Sequence, residues 1–135
     1  MSAIPDKLDS ESFFILLPLL PLIAYNLLMR IALLQMAPAW EEPERNHSVA
    51  RSLISEAARN NSDIAVLPEM FSTGFSFELQ GLERPNESST HSFLSSVAKE
   101  FEVNLIAGFK ALSSDSEKGL NIARAYSRKG KVHST

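Results

Sequence analysis

The sequence predicts an α/β fold, and three observations predict it. Apolar, branched runs of strand length lie at residues 30–36, 63–67, 103–109 and 120–126. Between them stand two segments whose apolar residues recur every three or four positions, the helical period. The resulting order, β-α-β-α-β-β, is that of a layered sheet with helices rather than a bundle or a sandwich of strands. A chain of 135 residues, 44% hydrophobic and 21% charged, can bury one core of that kind.

Taken in order, residues 1–11 are polar, with Pro5, Asp6, Asp9 and Glu11, and read as disordered. Residues 12–29 carry no charge and are rich in Leu, Ile and Phe. A spanning helix needs about twenty apolar residues, so this stretch is marginal, and Pro18 and Pro21 would kink it. Its acidic lead and the lack of a small-residue cleavage site fit a secretory signal poorly. Three readings stay open for residues 1–28: a disordered extension, a membrane anchor through residues 13–28, or a cleaved signal. If the stretch spans a membrane, Arg30 places its carboxyl side in the cytoplasm.

Residues 30–36 form the first strand candidate, with Ile31, Leu33, Leu34 and Met36 apolar and Pro38 ending it. Trp40 to Pro43 is a loop. Residues 44–60 predict a helix with Val49, Leu53, Ile54, Ala57 and Ala58 as its apolar stripe, stopped by Asn60, Asn61 and Ser62. The strand at 63–67 follows, then a loop over 71–86 broken by Gly74, Gly81 and Pro85. Residues 88–101 predict a second helix facing inward through Phe93, Leu94, Val97, Ala98 and Phe101. The strand 103–109 leads to a polar tip at 113–119. A hairpin then runs from 120–126 around 128–131 into Val132.

The chemistry-bearing stretch is Leu67-Pro68-Glu69-Met70-Phe71-Ser72-Thr73-Gly74-Phe75. Pro68 has no N–H for a ladder, so the strand ends there and Glu69 stands at its carboxyl end. Ligands of open α/β sheets sit off the carboxyl ends of strands. Walls formed by Met70, Phe71, Phe75 and Phe77 would desolvate this carboxylate and suit it to general-base work. A solvated glutamate at a strand end is the plainer alternative, and a lone carboxylate does not decide between them.

The motif resembles the first catalytic motif of the nitrilase, or carbon–nitrogen hydrolase, superfamily, nearest its ω-amidase-like branch. The likeness extends to Met29-Arg-Ile-Ala-Leu-Leu-Gln-Met36, to Asn104-Leu-Ile-Ala-Gly-Phe109, to Asn121-Ile-Ala and to the Lys129-Gly130-Lys131 turn. It implies the amino-terminal half of an αββα sandwich over residues 29–135, with residues 1–28 outside the domain. It also implies a Glu–Lys–Cys triad. There a cysteine attacks an amide carbon, a glutamate acts as base and a lysine stabilises the oxyanion. Glu69 matches the base. Lys131 follows the turn glycine and so occupies the family's turn position rather than its lysine position; it reads as a solvated hairpin charge. The chain has no Cys at all, so one group of the triad is present. The family's domain is considerably longer, and the chain reads as a truncated piece of it.

Composition excludes several classes. A net charge of −3 leaves no basic footprint for nucleic acid. His47, His91 and His133 are scattered without ligand spacing, so neither metal nor cofactor is expected. Asn46, Asn60 and Asn86 open Asn-x-Ser patterns that matter only in a secreted chain. The leading reading is a cytoplasmic hydrolase of a small ω-amide, a homo-oligomer being a further partner it leaves open. A non-catalytic interaction piece and a small membrane-tethered protein are the two competitors.

Overall fold

The computed structural model describes residues 28–115 and 118–135. Almost all of the 1–28 leader, with its three readings, therefore lies outside the described residues. Among the described residues no helix is long and apolar enough to cross a membrane. Seven elements follow one another: β1 Ile31–Leu33, α1 Pro43–Arg59, β2 Ile64–Val66, α2 Ser89–Glu100, β3 Asn104–Leu112, β4 Gly119–Tyr126 and β5 Val132–Ser134. The strands form a five-stranded sheet in chain order. β1, β2 and β3 run parallel; β4 and β5 are added antiparallel.

Local chemistry sets the ends. β1 stops three residues short of the predicted 36. The parallel ladder reaches Leu34, whose N–H donates to the Val66 carbonyl at 2.9 Å. The next rung would need an N–H on residue 68, which is Pro68. α1 begins at Pro43, which sequence reading places in a loop; a proline at the first helical position loses no hydrogen bond. Ser88 caps α2, its hydroxyl accepting from the His91 N–H at 3.1 Å. β3 continues to Leu112 because it is laddered to β4 from Leu105 opposite Tyr126 to Leu112 opposite Gly119.

α1 packs on β2 and on α2, and α2 packs on β3 and β4, so both helices cover one face of the sheet. Residues two apart on a strand share a face. Ala65, Leu67, Leu105, Ala107, Phe109 and Tyr126 point into the helices and meet Ala50, Ile54, Leu94 and Val97. The apolar stripe of α1 is the predicted one at Leu53, Ile54, Ala57 and Ala58, but its first member is Ala50, which is buried, rather than Val49, which is exposed. The alternate strand positions look away from the helices. Leu33 is 79% exposed and Ile106 39% exposed there, and Val66 is half-buried.

Beneath the helices, the half-buried His47 ring stacks on Phe93 at 4.4 Å and 5° and meets Thr90 Oγ1 at 3.1 Å. Burial pushes its imidazole down to about 4 from 6.5. The unfolded chain therefore binds more protons than the folded chain between those values. The contribution of His47 to stability is complete above pH 6.5 and is lost as pH falls toward 4. Denaturant titrations between pH 7 and 4 should show stability falling toward acid, less steeply in His47→Gln. His91, also lowered, by burial and then by Arg124, leaves a residual slope. Identical slopes in parent and variant would remove His47 from this account.

Candidate active site

Glu69 leaves the sheet directly after Pro68, at the carboxyl end of β2. The strand-end geometry expected from sequence holds here: Leu67 N–H still donates to the Ile106 carbonyl at 2.8 Å, and Phe71 N–H donates to the Gly108 carbonyl at 3.2 Å. Between those two bonds the chain turns through Met70, whose φ is +48°. Thr73 and Gly74 N–H close the turn on the Met70 carbonyl, at 3.2 and 2.8 Å. The motif is thereby pinned to β3 on both sides of Glu69.

Gly108 allows this close approach. A Cβ at that position would lie 2.8 Å from the Glu69 Cα, a contact between backbones that no side-chain rotation relieves. Gly108→Ala should destabilise by ~1–3 kcal/mol, as overpacking does. It should also shift the backbone NMR resonances of Glu69 and Met70. An alanine variant with unchanged stability and unchanged resonances would show that the packing here is slack.

The Glu69 carboxylate looks onto the sheet face that neither described helix covers, and is exposed. It accepts a hydrogen bond from Nδ2 of Asn121 in β4. Leu67, Glu69, Ile106, Gly108, Asn121 and Ala123 line an open depression of about 390 Å³. Asn121 also borders a second cavity of about 180 Å³, which Met70, Phe77, Leu82 and Lys110 share. A carboxylate in this place can take up a proton from a group lying over β3 and β4.

The apolar framing expected around Glu69 is only partly found. Met70 and Phe77 line the neighbouring cavity. Phe71 points the other way, into the helix-covered core, where it is 0% exposed and lies 5.9 Å from the His47 ring. Phe75 is exposed, and Phe77 is 85% exposed. The motif thus spends one aromatic on the core and leaves its carboxylate facing water. Lys131 is exposed in the β4–β5 turn, where Ser127 N–H donates to its carbonyl at 2.8 Å. His47, His91 and His133 stay apart, and among the described residues no group of acidic or histidine side chains could hold a metal.

Three residues were not singled out for this site. Asn121 and Lys110 interrupt apolar strands on the face that carries Glu69, and period-two counting could have found them. Asn46 appears in the sequence as a glycosylation pattern. It is buried, donating to the Ala39 and Ser72 carbonyls at 2.7 and 2.8 Å and accepting from the Ala39 N–H at 2.8 Å. It ties the segment before α1 to the motif, and in this fold no sugar could reach it.

Residues 30–134 match the carbon-nitrogen hydrolase family, which is most of the chain. The chain belongs to that family. It is 36% identical over 86 residues to a nitrilase of Pyrococcus abyssi, covering 60% of this chain and 33% of the relative. It is 39% identical over 82 residues to a hydrolase of Schizosaccharomyces pombe, covering 58% of this chain and 25% of the relative. The fold matches an amidase from Nesterenkonia sp. AN1 with a TM-score of 0.71 at 18% identity, over 79% of this chain and 42% of the amidase. That amidase carries an active-site cysteine to which acrylamide adds. The chain thus spans less than half the length of the relatives it matches, and its α/β layer is the nitrilase-like fold in that part.

Proposed function

We propose that this chain supplies the general base of a carbon–nitrogen hydrolase acting on a small ω-amide, and that Glu69 is that base. The observation that carries the reading is Glu69 itself: motif-matched, at the carboxyl end of a parallel strand, solvent-accessible, and held by Asn121. In this reading residues 29–135 are one part of the hydrolase domain, and residues 1–28 stand outside it. The lysine and cysteine come from sequence not contained in these 135 residues. Glu69 takes the thiol proton as sulfur attacks the amide carbon. The returned proton lets ammonia leave, and water then cleaves the thioester to the carboxylate. The lysine and backbone donors hold the oxyanion.

The test joins this chain to a matching carboxyl-terminal segment that supplies Lys and Cys. Ammonia release from succinamate and glutaramate is the expected activity, and Glu69→Gln should lower kcat by about 10²–10⁴-fold. Activity indifferent to Glu69→Gln would end the base assignment. Equal turnover of butyramide, which lacks the distal carboxylate, would end the ω-amide part alone.

One observation favours a second reading, a non-catalytic module that pairs with another subunit. The chain offers an apolar sheet face around Leu33 and Ile106 and no nucleophilic cysteine. A complemented protein that assembles stably but turns over no amide would favour it.

A further inference from the structure

Lys110 lies on the Glu69 side of β3, two residues beyond Gly108 and opposite Asn121 in the ladder. Its side chain is only 6% exposed. An ammonium group removed from water is costly unless it is well partnered. Its Nζ donates to Glu41 Oε1 at 2.6 Å and to the Glu78 carbonyl at 3.2 Å.

Glu41 is itself held on several sides. Its N–H donates to the Thr73 carbonyl at 3.0 Å, and its φ is +53°, a backbone region costly for a residue with a Cβ. The hydrogen bond from Lys110, and then one from Ser76, hold its carboxyl below the usual carboxylate range. Three segments therefore meet at one charge pair: the connection between β1 and α1, the loop that follows Glu69, and β3.

That loop needs an outside tether. Its own hydrogen bonds are local: Ser76 N–H to the Gly74 carbonyl, Glu78 N–H to Ser76 Oγ, and Leu82 N–H to the Leu79 carbonyl. The polar ties of residues 75–82 outward, among the described residues, are Ser76 to Glu41 and the Glu78 carbonyl to Lys110. The same loop supplies Phe77 and Leu82 to the 180 Å³ cavity whose floor holds Lys110 and Asn121.

We propose that Glu41 and Lys110 are positioning residues, an ion pair that clamps residues 75–82 over the cavity beside Glu69. A pair of this kind adds little net stability over an apolar replacement. What it fixes is geometry, because one Nζ reaches acceptors on two separate segments. The clamp serves the site only if Glu69 is the base proposed above. The restraint on the loop is independent of that assignment and is measured without catalysis.

The chain carries its own reporter. Trp40, its single tryptophan, precedes Glu41, and its ring lies 3.6 Å from where a Cβ on Gly74 would stand. The experiment compares the full chain with Glu41→Gln, Lys110→Met and the double variant Glu41→Met/Lys110→Met. Amide hydrogen exchange over 75–82 is read against 104–109, and Trp40 fluorescence is read for acrylamide quenching. Both single variants should exchange 75–82 roughly tenfold faster while 104–109 is unchanged, since a released loop opens locally. Lys110→Met, distant in sequence from Trp40, should raise Trp40 quenching as Glu41→Gln does. The double variant should recover the parent's melting temperature but keep the fast loop exchange, which separates positioning from stability and decides the matter if a single variant fails to fold. Loop exchange and quenching equal to the parent's in a folded single variant would overturn the proposal. Full recovery of loop protection in the double variant would overturn it too.

Discussion

A polypeptide of these 135 residues is expected to release no ammonia from small amides. The mechanism proposed above needs a thiolate, and the chain contains no cysteine. Glu69 is in reach of solvent and of Asn121, but a base without a nucleophile has only water to activate. General-base help is worth about 10²–10⁴-fold, while enzymes accelerate their reactions by about 10⁶–10¹⁷-fold. The measurement is ammonia production from succinamate, glutaramate and butyramide by purified protein, beside Glu69→Gln. Turnover abolished by Glu69→Gln would require a nucleophile among the serines or threonines, and would sink the argument from composition.

Phe71→Ala is expected to be the most damaging single change in the motif, at about 3–5 kcal/mol. Phe71 is fully buried between the sheet and α1, tilted against His47 and Phe93. Truncation leaves a cavity where α1, α2 and the motif meet. Domain stabilities are about 5–15 kcal/mol, so the loss is a large fraction of the total. Phe77→Ala, six residues on and exposed, should change the denaturation midpoint little. Urea titration of the pair checks both. Equal effects would mean that the two aromatics do not divide between core and surface as their exposures indicate.

That division also shows where sequence reading reaches and where it stops. The α/β order, both helices and the strand ending at Pro68 follow from period and punctuation, which are local properties. Period does not say which way a loop residue faces. Phe71, Phe75 and Phe77 share a period of two or four, yet Met70 at φ +48° reverses the chain ahead of them and sends the first into the core. Asn46 and Lys110 were opaque for a related reason. Each is a polar residue with a partner far along the chain, Ser72 for Asn46 and Glu41 for Lys110, and single-sequence patterns carry no record of such pairs. Glu69 stands out in the sequence only through its neighbours' likeness to a family motif; its hydrogen-bond partner Asn121 lies 52 positions on.

The sheet face that no described helix covers bears on the proposed role of Glu69. Ile106 and Glu69 border one depression, so a surface filling it would lie over both. Charges interact far more strongly once water is displaced. If Glu69 is the base proposed above, a partner laid on this apolar face would also lower the dielectric around its carboxylate.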